Sequence, residues 1–216
     1  RYDLTLRIPE RAMNLLKRGA AGDIPETPKD GNPAFARVEN IIVGGNRLAI
    51  EAARIEAVRR GYSTIILSAA LQGEAGRAGK ELAREAIAAR RRIAGRHPGR
   101  ICLISGGETT VTVSGRGLGG RNMELALVFA QEIKGASGVT LLSAGTDGTD
   151  GPTDAAGAFA DAATLSRAAQ RGLVPESFLK NNDSYHFFSA LDGLFMTGPT
   201  GTNVMDLQIV LIDGVD

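Results

Sequence analysis

Arg121 in GGRN and Asp147 in GTDG are the two side chains of this sequence whose types and settings best suit chemistry. An arginine offers a planar fork of donors that matches phosphate or carboxylate, and an aspartate can take up a proton or hold a metal ion. Arg121 closes the stretch GETTVTVSGRGLGGRN, residues 107–122, which contains G-x-G-x-x-G at Gly115, Gly117 and Gly120. Three phosphate chemistries compete for these glycines. A Walker A loop needs G-x-x-x-x-G-K-[ST]; the nearest run, Gly73 to Lys80, is one residue too long and has Glu81 where the hydroxyl belongs, which excludes it. A dinucleotide-binding turn needs a buried parallel strand directly before the glycines, whereas TTVTVSG alternates polar and apolar, the pattern of a half-exposed antiparallel strand. The third reading is a glycine turn that sets Arg121 at a helix start. Asn122 caps that helix, and free backbone N–H groups join the guanidinium in an anion site. A plain structural turn competes with this reading.

Asp147 lies in GTDGTDGPTDAAGAFAD, a loop at the carboxyl end of the apolar run VTLLSA, where open α/β sheets place their ligands. Asp147, Asp150, Asp154 and Asp161 repel one another unless Mg²⁺ or an arginine compensates them. Aspartate and glycine also dominate turns for purely local reasons. The spacing does not fit a Ca²⁺ loop. TGPTGTNVMD adds Thr200, Thr202, Asn203 and Asp206, which suit either phosphate and metal or the turn itself. His97 and His186 stand alone and read as structural; Cys102, within ICLIS, reads as a buried small hydrophobe.

These residues need elements to hold them. The chain has 216 residues, 43% of them hydrophobic, which is ample for a core. Its 25 Lys+Arg and 24 Asp+Glu leave a net charge of only +1, too little to point to nucleic acid or a membrane surface as the main partner. A single cysteine precludes an internal disulfide framework and fits a cytoplasmic setting. No run is long and apolar enough to span a bilayer, and the first residues lack the apolar core of a signal peptide.

The pattern predicts a helix around Pro9 to Arg18, a Pro/Gly-rich linker to residue 37, and a buried strand in ENIIVGG. Next comes a helix capped by Asn46, with Leu48, Ala52 and Ile55 forming an apolar stripe, closed by Gly61. The strand STIILSAAL completes a parallel βαβ unit, and a long helix and the strand ICLIS follow. NMELALVFAQEI is a helix with Leu125, Val128, Phe129 and Ile133 on one face, and VTLLSA and DLQIVLI are later strands separated by short helices. The expected fold is α/β: a mixed, partly parallel sheet with helices on its faces and an antiparallel strand or hairpin. Ile42, Ile66, Leu103, Leu142 and Val210 mark its buried strands.

Taken together, GGETTVTVSGRGLGGRNMELAL, LLSAGTDGTDGPTDAAGAFAD, NNDSYHFF and TGPTGTNVMDLQIVLI resemble the C-terminal MOFRL region of class II glycerate kinases, over about Cys102 to Ile212. IIVGGNRLAIEAA and LQGEAGRAGKELA look like the end of that family's N-terminal region. The resemblance divides the chain into 1–37, 38–100 and a MOFRL-like 101–216. It implies transfer of the γ-phosphoryl group of ATP to D-glycerate with Mg²⁺, giving 2-phosphoglycerate, in a cleft between two domains. The family's members are about twice this length, so the resemblance also implies that the isolated chain lacks an N-terminal half and a catalytic lysine, and it admits a homodimer.

Carried onto this sequence, the resemblance makes Arg121 and Asp147 the catalytic pair. Glu108, Thr109, Gly119, Gly120, Asn122, Asn46, Thr200 and Asn203 become candidate substrate or phosphate contacts, and Asp150 and Asp154 candidate Mg²⁺ ligands. Two alternatives stay open: an NAD(P)H-dependent hydroxypyruvate reductase, a label that related sequences carry, and a non-catalytic nucleotide-binding module.

Overall fold

The computed structural model describes residues 8–94 and 99–214. His97 lies outside the described residues. The chain forms two compact units that divide between Ile42 and Val43. In the first, α1 (Glu10–Ala21) follows Pro9 and stops at Gly22, whose left-handed conformation (φ 80°) suits a residue without a Cβ. A short 3₁₀ turn, Pro33–Phe35, is capped by Asn32, whose Oδ1 accepts from the Ala34 amide at 2.9 Å.

The second unit is α/β. Its strands are β1 (Ser63–Leu71), β2 (Arg100–Gly107), β3 (Val139–Gly145), β4 (Gly157–Asp161), β5 (Leu194–Phe195) and β6 (Asp206–Asp213). They form one sheet in the order β1-β2-β6-β3-β4-β5. β1 and β2 are parallel and all other pairings are antiparallel, so β1, β2 and β3 end at the same edge of the sheet, where β6 begins. Helices α2 (Asn46–Arg59), α3 (Ala75–Ile93), α4 (Arg121–Glu132), α5 (Thr164–Gln170), α6 (Pro175–Lys180) and α7 (Ser184–Ser189) complete the unit.

The main core lies between the sheet and α3 with α4. Leu103, Leu141, Val210 and Ile212 from the strands meet Leu82, Ala86, Leu125 and Phe129 from the helices. Alanines along α3 let it approach α4 closely, and Gly79 of α3 faces the backbone of α4 at Leu125. Leu125, Val128, Phe129 and Ile133 are all buried, as the periodicity requires. On the opposite face Ile50 and Ala57 of α2 pack on Cys102 and Ile104 of β2. β2 is thus covered on both faces, which explains its uninterrupted apolar run. No helix among the described residues is long and apolar enough to cross a membrane.

Four sequence expectations need correcting. The run around Ile42 is not a strand: residues 38–45 are irregular and Ile42 is 85% exposed, since no described strand pairs with it. α2 turns Leu48, Ala52 and Ile55 outward and buries Ile50 and Ala57 instead. TTVTVS forms no strand beyond one bridge between Thr110 and Glu74: the Thr110 amide donates to the Gly73 carbonyl and those of Thr112 and Ser114 to the side chains of Glu74 and Asn182. Finally, the Asp-rich loop contains β4, whose register against β3 is set by Ala158 and Ala160 facing the core.

Candidate functional site

The common edge where β1, β2 and β3 end carries the loops 108–120, 146–156 and 196–205, and α4 starts there. Arg121 is the first residue of α4, with Gly120 in the N-cap position. Its guanidinium is held by Asp206: Nε donates to Oδ2 at 2.6 Å and Nη2 to Oδ1 at 2.8 Å. Asp206 has no exposed side-chain surface, whereas Arg121 retains 25%. Glu108 adds a longer contact, 3.4 Å from Nη2. These carboxylates raise the Arg121 pKa, the bond to Asp206 contributing most.

Asp206 fits because of its neighbours. It is the first residue of β6 and is paired with Gly107 of β2 and Gly145 of β3. The residue before it, Met205, is held at φ 68°, an uncommon conformation for a large side chain. Bonds from the Thr146 amide and hydroxyl to the Met205 carbonyl, and from the Met205 amide to Asn203 Oδ1, hold it there.

One layer inward, buried polar groups continue from the edge beneath α4. Ser143 donates to Asn122 Oδ1 at 2.7 Å, and Ser105 lies opposite Gln208 across β2 and β6. Asn122 is therefore a buried member of this network, inside the helix. The side chain that caps α4 is Asp150, which accepts from the Asn122 amide (3.1 Å), the Asn122 side chain (3.3 Å) and the Met123 amide (2.8 Å). Burial pushes the Asp150 pKa up to about 6, against the opposing pull of those amides. Expected from the sequence as a metal ligand, Asp150 instead has both oxygens engaged by the protein. Asp154 is exposed and accepts from the Tyr185 hydroxyl at 2.9 Å. No group of three or more His, Cys, Asp or Glu among the described residues could hold a metal ion.

Asp147 is half-buried in the turn after β3. Its Oδ1 accepts from the Thr149 amide at 3.1 Å and its Oδ2 from Asn203 at 3.2 Å. Asp147 Oδ1 and Asp206 Oδ1 lie 3.0 and 3.5 Å from where a Cβ on Gly145 would sit, and the Thr149 carbonyl oxygen lies 2.6 Å from it, so the two carboxylates come close at a position where a side chain would not fit. Thr200 closes the same turn, donating to the Thr146 carbonyl at 2.6 Å while its amide donates to the Asp147 carbonyl. The structure brings Arg121, Asp206, Glu108 and Asp147 to one edge, with Thr200 and Asn203 bracing Asp147.

Next to Arg121 is a cleft of about 460 Å³, lined by Glu108, Thr109, Gly119, Gly120, Arg121 and Glu124 among others. The amides of Gly119, Gly120 and Arg121 donate to nothing among the described residues. Thr109 is 3% exposed and its hydroxyl is likewise without a partner. Gly119, Gly120 and Arg121, with three amides free of partners among the described residues and a guanidinium, therefore line one cleft, which suits an anionic ligand. Asn46 is not in the cleft. It is buried on the far face of the sheet edge and donates to the carbonyls of Val204 (2.9 Å) and Asp206 (3.0 Å).

The glycine stretch has its own explanation. Asn182 Oδ1 accepts from the amides of Ser114 and Gly115, both at 2.8 Å. Asn181 takes those of Arg116 and Gly117, and Asp183 that of Leu118 at 2.9 Å. A Cβ on Gly115 would collide with the backbone of Asn181, and one on Gly120 with Asp150. Asn181–Asp183 thus occupy the space beside Gly115 and Gly117 that a dinucleotide cradle would leave open.

Sequence reading missed the Arg121–Asp206 pair, having treated Asp206 as part of a turn. The available signal was an acid opening an otherwise apolar strand, DLQIVLI. His186 is exposed and bonded to Asp183 at 2.6 Å.

The second unit is thus a mixed-sheet α/β protein with an arginine–carboxylate pair at the edge where its parallel strands end. Residues 101–206 match the MOFRL family, and that stretch of the chain belongs to it. The chain as a whole is a relative of the glycerate kinases. It is 37% identical to the glycerate 2-kinase of Pyrococcus horikoshii over 98% of its own length and 47% of that protein. The crystal structure of glycerate kinase from Thermotoga maritima superimposes with a TM-score of 0.78 at 40% identity, covering 93% of this chain and 50% of that one. A protein of Agrobacterium vitis provisionally named hydroxypyruvate reductase is 40% identical over 98% of this chain and 46% of its own. The chain therefore spans about half the length of the relatives it matches.

Proposed function

We propose that this chain forms part of a glycerate kinase that transfers the γ-phosphoryl group of ATP to the 2-hydroxyl of D-glycerate. The observation that carries the reading is the edge of the cleft: amides of Gly119, Gly120 and Arg121 with no partner among the described residues, beside the Arg121 guanidinium. Kinase relatives supply the substrate class. We take residues 38–100 as the end of the kinase N-terminal region and 101–216 as its C-terminal region.

Phosphoryl transfer needs positioning and charge stabilisation more than covalent help from the protein. In this reading the amides and Arg121 hold either the glycerate carboxylate or the phosphoryl oxygens. The glycerate hydroxyl oxygen bonds to the γ-phosphorus as the bond to the bridging oxygen of ADP breaks, and the hydroxyl proton passes to Asp147. Thr149 and Asn203 keep that carboxylate in place.

The site's own charges demand more. Arg121 already faces Asp206 and Glu108, so an added anion needs further positive charge. Mg²⁺ arriving with the nucleotide would neutralise phosphate charge there, since Mg²⁺ is commonly held by one or two carboxylates together with substrate phosphates. The rest of a kinase of the relatives' length is the other source. A reductase reading finds no support at Gly115 and Gly117, beside which Asn181–Asp183 take up the space. Calorimetric titration of the full-length protein tests the reading: D-glycerate binds in the presence of Mg²⁺ and a non-hydrolysable ATP analogue, and NADH does not. Binding of NADH without D-glycerate would reverse the assignment.

A further inference from the structure

We infer that Asp206 and Asn46 are positioning residues for Arg121, acting in series from opposite faces of the sheet; the functional part of this inference rests on the kinase reading above. Arginine side chains have several rotatable bonds, so an unrestrained guanidinium at a helix start samples many orientations. Here two bonds to one carboxylate fix both its plane and its direction. With Nε and Nη2 engaged by Asp206, and Nη2 also by Glu108, Nη1 is the guanidinium nitrogen with no partner among the described residues.

Asp206 can impose this direction only if it is itself fixed, and its backbone shows how. The Asp206 carbonyl accepts from Asn46 Nδ2 at 3.0 Å, and the same nitrogen donates to Val204 at 2.9 Å, straddling the left-handed Met205. Asn46 thereby ties the start of α2 to the start of β6. Its own place is set by packing over Gly106, where a Cβ would meet the Asn46 amide group. The sequence reading placed Asn46 in the cleft, whereas the structure supports an effect on the cleft through Asp206.

The pairing also defines how Arg121 works. Facing a fully buried counter-charge, it serves as an aimed hydrogen-bond donor with much of its net charge already balanced. Such a donor gains most from ligands whose oxygens fall on its open edge.

The test uses the full-length protein, with Arg121→Ala, Asp206→Asn, Asn46→Ala and the Arg121→Ala combinations. Two readouts are followed: the Arg121 Nε–H resonance in ¹H–¹⁵N spectra, and D-glycerate affinity by calorimetry. In the unaltered protein the resonance should be sharp and slow to exchange with water. Asp206→Asn should broaden it and weaken D-glycerate binding at least tenfold, and Asn46→Ala should weaken binding several-fold. Added to Arg121→Ala, neither substitution should weaken binding further. If the resonance survives in Asp206→Asn, or if the binding losses add, the inference is wrong. Should Asp206→Asn fail to fold, Asn46→Ala carries the same cycle. If Arg121→Ala leaves D-glycerate binding intact while the resonance still depends on Asp206, the kinase reading fails and the positioning stands.

Discussion

Arg121 and Asp206 are 85 residues apart in sequence and joined by two hydrogen bonds, 2.6 and 2.8 Å long, with the carboxylate wholly buried. The pair binds the start of α4 to the start of β6 at the edge that carries the cleft. One guanidinium thus has a structural partner on one side and an open edge on the other.

That arrangement predicts a stability cost for removing either partner alone. Arg121→Ala leaves a buried, unpaired carboxylate and should cost about 3–5 kcal/mol, whereas Arg121→Met combined with Asp206→Leu should cost much less. Urea unfolding of the three proteins checks this. Loss of activity in Arg121→Ala is interpretable only beside such a melt.

Asp150 gives a pH prediction. It releases its proton near pH 6 in the fold, compared with about 3.9 for an unperturbed aspartate. Between those values the folded state holds more protons than the unfolded state, so this residue's contribution to stability falls as pH rises from about 4 to 6. The change is on the order of 2 kcal/mol. Asp150→Asn should remove that slope and, having lost one acceptor at the cap, cost about 1 kcal/mol overall. Chemical denaturation at a series of pH values measures both effects.

How far the sequence revealed this arrangement varies from element to element. α4 and the strands around Leu103, Leu142 and Val210 were legible because their apolar spacing reports directly on the core they enter. Arg121 was legible as a residue type well suited to anions. Its partner was not, because pairing across the sheet depends on register, and Asp206 meets Arg121 only when β6 lies between β2 and β3. TTVTVS misled for a related reason: alternation signals an extended chain, but it does not say whether a strand will take up the amides or, as here, the Gly73 carbonyl and the side chains of Glu74 and Asn182.

The glycine stretch predicts its own mutational outcome. Gly115→Ala forces a methyl group into the Asn181 backbone and should cost roughly 1–3 kcal/mol, with faster amide exchange at Ser114 and Leu118. Hydrogen-exchange mass spectrometry over 112–118 would show it. Unchanged protection would mean the loop is held elsewhere.

The outward stripe of α2 behaves in the opposite way. Leu48 and Ile55 are 58% and 56% exposed, so Leu48→Ser and Ile55→Ser should change the stability of this chain by no more than about 0.5 kcal/mol. A thermal melt of each variant decides. A loss of several kcal/mol would show that the stripe is buried in solution, as its apolar spacing first suggested.

The most direct test of the account is the product of the full-length protein. Incubated with ATP, Mg²⁺ and D-glycerate and followed by proton-coupled phosphorus NMR, it should give ADP and a phosphomonoester doublet, because the phosphorus of 2-phosphoglycerate couples to a single proton on carbon 2. A triplet would place the phosphate on carbon 3 and contradict the proposed acceptor hydroxyl. ATP left intact beside D-glycerate, with NADH consumed when hydroxypyruvate is added, would contradict the kinase itself.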